Sequence, residues 1–413
     1  MDSRRTLTFL NAGHFLIHYF MLIFPTAIIA IQQDWGLRYG DALWLGSSCF
    51  AAFAIATLPF GWLGDRVGRH LLLSVFFLGC GTSSIAVGLA ANSTALVVGL
   101  TGIGFFAAIY HPVGLALLTD LAARKGRAIA INGVYGNLGL AEAALITGWL
   151  SAGFGWRTAF IVPGSMSILV GLIFGFVVPR QPRRGETGGK SADPTPITGW
   201  SQRRVLAVVM LSALFGGCIF NGVTVSLPKI FQVRLGGSAS SVSDVGTYVA
   251  LVFAVAAFAQ LPVGALLDRY GARPILLVLL TVQAVALLAA SVAAGPALIA
   301  TSLVLVTGIF AEIPVTSWLL GQYVGSHWRA RAYAAEYVLS LGISAAIVPL
   351  IALLHNRGFG FAGLYQALVV AAVIVLAAAV FLPAFQRQPT ARNPGAAQAA
   401  HPKKTAAELP PRR

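Results

Sequence analysis

Charge is what this sequence has least of. Only 10% of its 413 residues are Asp, Glu, Lys or Arg, whereas a soluble domain carries about 25%. That deficit excludes an ordinary water-soluble globule, because most of the surface must face something other than water. Cysteine is scarce as well. Cys49, Cys80 and Cys218 all fall in apolar stretches and lack metal-ligand spacing, so they read as small packing residues. No Gly-x-x-x-x-Gly-Lys-Ser/Thr loop occurs, which argues against ATP as an energy source, and there is no His-Glu-x-x-His zinc motif. No polar segment is long enough to fold as a catalytic domain. The expectation is a protein that is not an enzyme and needs no cofactor and no metal.

Apolar residues are abundant, at 57% of the chain. They form twelve runs, over 7–31, 43–63, 71–91, 94–119, 127–151, 157–178, 205–231, 245–267, 274–294, 297–324, 332–354 and 362–383. Each is long enough to cross a bilayer as a helix, and too continuous for the alternating strands of an outer-membrane barrel. The first run is read as a span, not as a cleaved leader. Forty-five glycines suit close helix contacts in lipid. The fold class expected is an all-α integral membrane protein with twelve transmembrane helices in two six-helix bundles.

The net charge of +15 does not point to nucleic acid. Of 28 Lys and Arg, only Arg38, Arg157, Lys229, Arg234 and Arg357 lie in one set of alternating loops. The other set, with both termini, holds the remaining 23. This bias places both termini in the cytoplasm of a bacterial-type inner membrane. The domains expected are a first bundle over 1–178, a cytoplasmic linker over 179–204 rich in Pro, Gly and Arg, a second bundle over 205–383, and a disordered tail over 384–413.

One motif occurs twice. Pro59-Phe-Gly61-Trp-Leu-Gly64-Asp65-Arg66-Val-Gly68-Arg69 is matched at a constant offset of 203 by Pro262, Gly264, Asp268, Arg269 and Gly271. Each copy lies between two apolar runs. At the same offset Pro25 matches Pro228, and His18 matches Asn221, which suggests that His18 and Asn221 share a role at the centre. Repetition of a charged turn once per half points to a transporter built from two similar halves.

This organisation resembles the major facilitator superfamily over nearly the whole chain, on the turn at 61–69, its copy at 264–273, and Gly155-Trp156-Arg157-Thr-Ala-Phe160 between runs five and six. Gly102-Ile-Gly104 with His111-Pro112 in run four also resembles fosmidomycin-resistance-type exporters. Many superfamily members carry an Arg four residues before the first of those glycines. Val98 stands there in this chain, so a proton-relay role for such an Arg does not carry over. The resemblance implies alternating access, with the turn residues Gly61, Gly64, Asp65, Arg66, Gly68, Arg69, Asp268 and Arg269 acting as a gate that latches one face. A turn that only fixes topology would not need Asp65.

Ionisable side chains inside a membrane are few and informative. Asn11, His14 and His18 share one face of run one, His14 being nearer its end. Tyr110 and His111 lie in run four. Asn132, Tyr135, Gly139 and Glu142 share a face of run five. Glu312 lies in run ten, and Tyr337 lies on a polar face of run eleven. His14, His18, Tyr110, His111, Tyr135, Asn221 and Tyr337 are the candidate cavity residues. For the histidines the competing reading is a structural one, and for His111 it is help in satisfying the backbone carbonyl that Pro112 frees near Ala108. Glu142 and Glu312 are the candidates for proton coupling, because a carboxyl in low-dielectric surroundings loads and releases protons near neutral pH. Glu336 is expected to pair with Arg329 or Arg331.

The expected activity is secondary active transport of a small organic solute by a functional monomer in a lipid bilayer. Protons are its expected partner, and efflux is favoured slightly over uptake of a nutrient or organic acid. The absence of Lys or Arg from the middle of the spans argues against a strongly anionic solute. A non-transporting membrane sensor on the same fold is the competing class, since fold alone does not fix function.

Overall fold

A computed structural model describes residues 2–122, 125–179, 200–324 and 326–383. Most of the expected linker and the whole of the expected tail lie outside the described residues. The last linker residues are helical, because the helix leading into span seven starts at Trp200.

Twelve helices are long and apolar enough to cross a membrane. They are Arg4–Asp34, Tyr39–Gly64, Arg69–Gly88, Ser93–Leu121, Arg127–Phe154, Thr158–Val177, Gln202–Arg234, Val242–Tyr270, Ala272–Val292, Gly295–Tyr323, Ala335–Asn356 and Gly360–Ala379, called spans one to twelve below. Each coincides with one of the apolar runs. A helix satisfies every backbone N–H and C=O within its own segment, the requirement that lipid imposes.

The turns between spans follow from local chemistry. Gly68 and Gly271, equivalent in the repeat, both adopt positive φ, at 102° and 76°. A side chain would be strained there, so glycine lets each helix stop and reverse. Asn92 caps span four by accepting a hydrogen bond from the Ala95 N–H at 2.9 Å. Ser241 and Asp244 form a reciprocal capping box at the start of span eight.

Four spans depart from a continuous helix, span eleven through a break at Ile343. Span four breaks at Ala108–Ile109, just before Tyr110, His111 and Pro112. Pro112 has no N–H to offer the Ala108 carbonyl, so the helix restarts there. Span eight breaks in the same way at Phe258–Ala259, ahead of Pro262. Span seven carries a five-residue π-helix over Ser212–Gly216.

Glycine sets the spacing of the first half's core. Gly136 lies against the imidazole of His14, where an added Cβ would sit 2.8 Å from the ring. One turn on, a Cβ on Gly139 would run into the Phe15 carbonyl. Span five therefore lies directly on span one and leaves a slot for His14. Between the halves, span two packs on span eleven and span five on span eight. At the second of these contacts a Cβ on Gly148 would sit 2.7 Å from the Val242 carbonyl.

The halves are tied at the end opposite the repeated turns. Asn356 of span eleven donates to Asp41 of span two at 2.9 Å, and the His355 ring packs edge-on against Tyr39, with centroids 5.0 Å apart. Trp149 donates to Thr247 at 3.1 Å. The Gly155-Trp156-Arg157 segment braces the same end. Trp156 donates to Asp34 at 2.9 Å, and Arg157 reaches both Asp34 and the Ala90 carbonyl at 3.2 Å.

Gly139→Val is expected to destabilise the protein by about 2 kcal/mol, the usual size of an overpacking penalty. Gly153, with open space around its Cα, should tolerate Ala. Thermal unfolding of the two variants in detergent, read against the wild type, checks this.

Candidate functional site

A pocket lies between the two halves near the middle of the bundle. The first half contributes His18 and Met21 from span one, Phe50 and Phe53 from span two, and His111 from span four. The second half contributes Phe220, Asn221 and Thr224 from span seven and Ser344 from span eleven. His18 and Asn221, equivalent in the repeat, thus face one space. Its walls are mostly apolar and aromatic, with a few polar groups to orient a ligand, as small-molecule sites generally are. The phenylalanines and Thr224 were not among the sequence candidates, because nothing distinguishes them from packing residues in a single apolar run.

Behind His18 lies a hydrogen-bonded chain. His14 Nδ1 is 2.6 Å from the Asn132 carbonyl. A carbonyl only accepts, so this contact fixes the proton on Nδ1 and leaves His14 Nε2 as an acceptor. His18 Nε2 lies 3.2 Å from His14 Nε2 and donates to it. The imidazole of His14 is stacked on Tyr110 with centroids 5.3 Å apart. Tyr110 donates to the Leu10 carbonyl at 2.5 Å, and Asn132 donates to the Asn11 side chain at 2.9 Å and to the Tyr110 hydroxyl at 3.2 Å. The break in span four turns His111 into this cluster. Its ring is stacked on Tyr337 of the second half at 5.5 Å, and its buried Nδ1 has no hydrogen-bond partner.

The other sequence candidates lie apart. Tyr135 is exposed and does not line the pocket. Glu142 is half-buried on span five near Tyr19. Glu312 is buried in the second half, where it accepts a hydrogen bond from Gln283 at 2.8 Å and faces Gly216 of the π-helix. Glu336 is buried beside Thr316. The side chains of Arg329 and Arg331, its expected partners, lie outside the described residues. Gln283 had escaped notice because an uncharged amide inside an apolar run carries no signal until its partner is known.

The repeated turns make contacts within their own halves. Arg69 pairs with Asp120 of span four at 2.7 Å. The Arg66 guanidinium lies 3.7 Å from the centroid of the Trp62 ring. Trp318 of span ten donates to Asp268 at 3.1 Å. Gly64 sits against Val113, where an added Cβ would be 3.1 Å away, while Gly61 has ordinary room beside Pro112. The Asp65 side chain lies outside what is described.

The family model of the Major Facilitator Superfamily matches residues 10–243 and 237–410. The chain belongs to this superfamily. The fold agrees with that of a solved structure, a bacterial homologue of the human lysosomal transporter Spinster in an inward-facing, unoccupied conformation. The TM-score is 0.70 at 20% identity, over 92% of this chain and 96% of that one. Among curated relatives, the chain is 30% identical over 158 residues to the 4-hydroxybenzoate transporter PcaK of Acinetobacter baylyi, covering 37% of this chain and 34% of the relative. It is 31% identical over 195 residues to the tetracenomycin C resistance and export protein of Streptomyces glaucescens, covering 46% and 36%. To the niacin transporter NiaP of A. baylyi it is 29% identical over 155 residues, covering 36% and 35%. The matches thus span about a third of the length of these curated relatives. The likeness of span four to fosmidomycin-resistance exporters rests on its motif alone.

Tyr110→Phe removes a donor to the Leu10 carbonyl and an acceptor for Asn132. The expected cost is about 1 kcal/mol, measurable as a lower unfolding temperature in detergent. No loss of stability would show that the hydroxyl does not hold the histidine cluster.

Proposed function

We propose that this protein is a secondary active transporter that moves a small organic solute through the pocket between its halves by alternating access. One observation carries the reading. The pocket takes polar groups from equivalent spans of both halves, His18 from span one and Asn221 from span seven. A site shared by two repeats becomes exposed first to one face and then to the other when the halves rock. The ties at Tyr39, Asp41, His355 and Asn356 close one end, and the repeated turns lie at the other. In the opposite state Arg66, Arg69 and Arg269 latch the turn end by pairing with groups of the other half. Contacts of this kind contribute about 1 kcal/mol each, enough to bias a nearly balanced equilibrium.

Both termini face the cytoplasm on this reading, in keeping with the Lys and Arg distribution. The bundle over 1–178 moves against the bundle over 205–383 as a functional monomer. Proton movement drives the cycle, with Glu312 as the coupling carboxyl and Glu142 as the second candidate. Glu312 is buried, and its hydrogen-bond partner Gln283 is neutral, so among the described residues no paired cation holds it permanently ionised. The π-helix of span seven lies next to it, and such segments often mark functional positions in helices. One charge crossing 100 mV releases about 2.3 kcal/mol, so one or two protons suffice for useful accumulation.

The solute is an aromatic or heteroaromatic metabolite or drug that fits among Phe50, Phe53 and Phe220. Export is the direction preferred here, in line with the relative that exports tetracenomycin C. Uptake is the second reading, favoured by the relatives that transport 4-hydroxybenzoate and niacin.

A pH-sensitive dye in energised inside-out vesicles tests this. A panel holding 4-hydroxybenzoate, niacin and aromatic antibiotics should contain a compound that dissipates the acid interior with the wild-type protein. Glu312→Gln should abolish the response with normal membrane insertion. Asp65→Asn should slow it by about fivefold, as loss of roughly 1 kcal/mol predicts. Full response in both variants, at equal expression, would remove the coupling and latch assignments.

A further inference from the structure

His14, His18 and His111 come from two different spans, yet their ligand nitrogens all lie within 4.8 Å of one another. We propose that these three imidazoles form a binding site for one divalent first-row transition-metal ion of the zinc class, with a fourth coordination position open to the pocket. Four features of the cluster carry the assignment.

The first is spacing. Zinc–imidazole bonds are about 2.0–2.1 Å, so nitrogens around a tetrahedral ion lie about 3.4 Å apart. His14 Nε2 and His18 Nε2 are already 3.2 Å apart. The His111 nitrogen lies within 4.8 Å of both, so it must close by at most about 1.4 Å to reach tetrahedral spacing. The second is orientation. Metal-binding histidines characteristically donate their other ring N–H to a carbonyl or carboxylate, which fixes the tautomer. His14 makes that bond, from Nδ1 to the Asn132 carbonyl at 2.6 Å, and so presents a bare Nε2 to the cluster. Ligation by His18 requires its proton to move from Nε2 to Nδ1, a change of tautomer that leaves the net proton count of the ring unchanged.

The third is an unmet need. His111 Nδ1 is buried without a hydrogen-bond partner, a state that costs free energy unless a ligand satisfies it. The fourth is access. His18 and His111 both line the pocket, so an ion has an entry path and an exposed position for water, hydroxide or an anionic oxygen. None of the described residues lining that pocket is Lys or Arg. A bound dication would therefore supply the positive charge that the cavity otherwise lacks, without repulsion from a neighbour.

The test uses full-length protein purified metal-free in detergent and titrated with Co2+ and Zn2+. Wild-type protein should take up about one equivalent of Co2+, with the visible bands of a four-coordinate site, and Zn2+ should displace it. His18→Gln and His111→Gln should each weaken binding at least about tenfold. His70→Gln should bind as wild type, because His70 lies elsewhere, against the Val178 carbonyl. No stoichiometric uptake by the wild type, or undiminished uptake in both cluster variants, would overturn the site. Should those variants not fold, the wild type decides alone. Zn2+ should protect His14, His18 and His111 from diethyl pyrocarbonate in mass mapping and leave His70 reactive, and unprotected cluster histidines would overturn the proposal.

Discussion

A polar side chain inside a lipid-spanning bundle is costly to leave without a partner, because lipid offers none. That constraint organises the first half of this molecule. Asn132 is fully buried and bonds through its side chain and its carbonyl to span one and span four at once. Span one is the most enclosed of the twelve, and its polar face meets those partners instead of lipid. The glycines of span five let the backbones approach closely enough for the bonds to form. Each bond is modest, but breaking one strands a buried group, which costs more than the bond contributes.

The same network positions the pocket. The carbonyl of Asn132 orients His14, and His14 in turn holds His18 at the pocket wall. The break that Pro112 imposes on span four turns Tyr110 and His111 towards span one. His111 then meets Tyr337 across the divide between the halves. A helix without that break would carry its side chains straight past. The pocket is thus a product of the first half's internal hydrogen bonding and of one irregularity in a helix, completed by span seven and span eleven of the second half.

Much of this was legible in the sequence, for physical reasons. Twelve apolar runs give twelve spans because bilayer thickness fixes helix length. The repeated turns were legible because glycine is needed where φ is positive, and both Gly68 and Gly271 adopt such a conformation. The offset of 203 that pairs His18 with Asn221 anticipated two residues that line one pocket. What stayed hidden were contacts between distant segments. Helical periodicity grouped His14 with His18, but nothing in the spacing shows that His111, about a hundred residues on, brings a ring nitrogen to within 4.8 Å of theirs. Gln283 and Glu312 likewise became a pair only when span nine was laid against span ten. The apolar lining of the pocket cannot be separated from ordinary core in a chain that is 57% apolar.

The central claim is that the two halves rock about the pocket, closing one end as the other opens. Pairs of spin labels measure this directly by electron resonance in lipid nanodiscs. One pair belongs at Val67 and Tyr270, equivalent exposed positions of the two turns, and one at Arg38 and Arg357, exposed beside the tied end. Across a change of pH or on addition of a transported compound, the account predicts two populations, with the first distance shortening as the second lengthens. A single unchanging distance at both ends, in protein that transports, would contradict it.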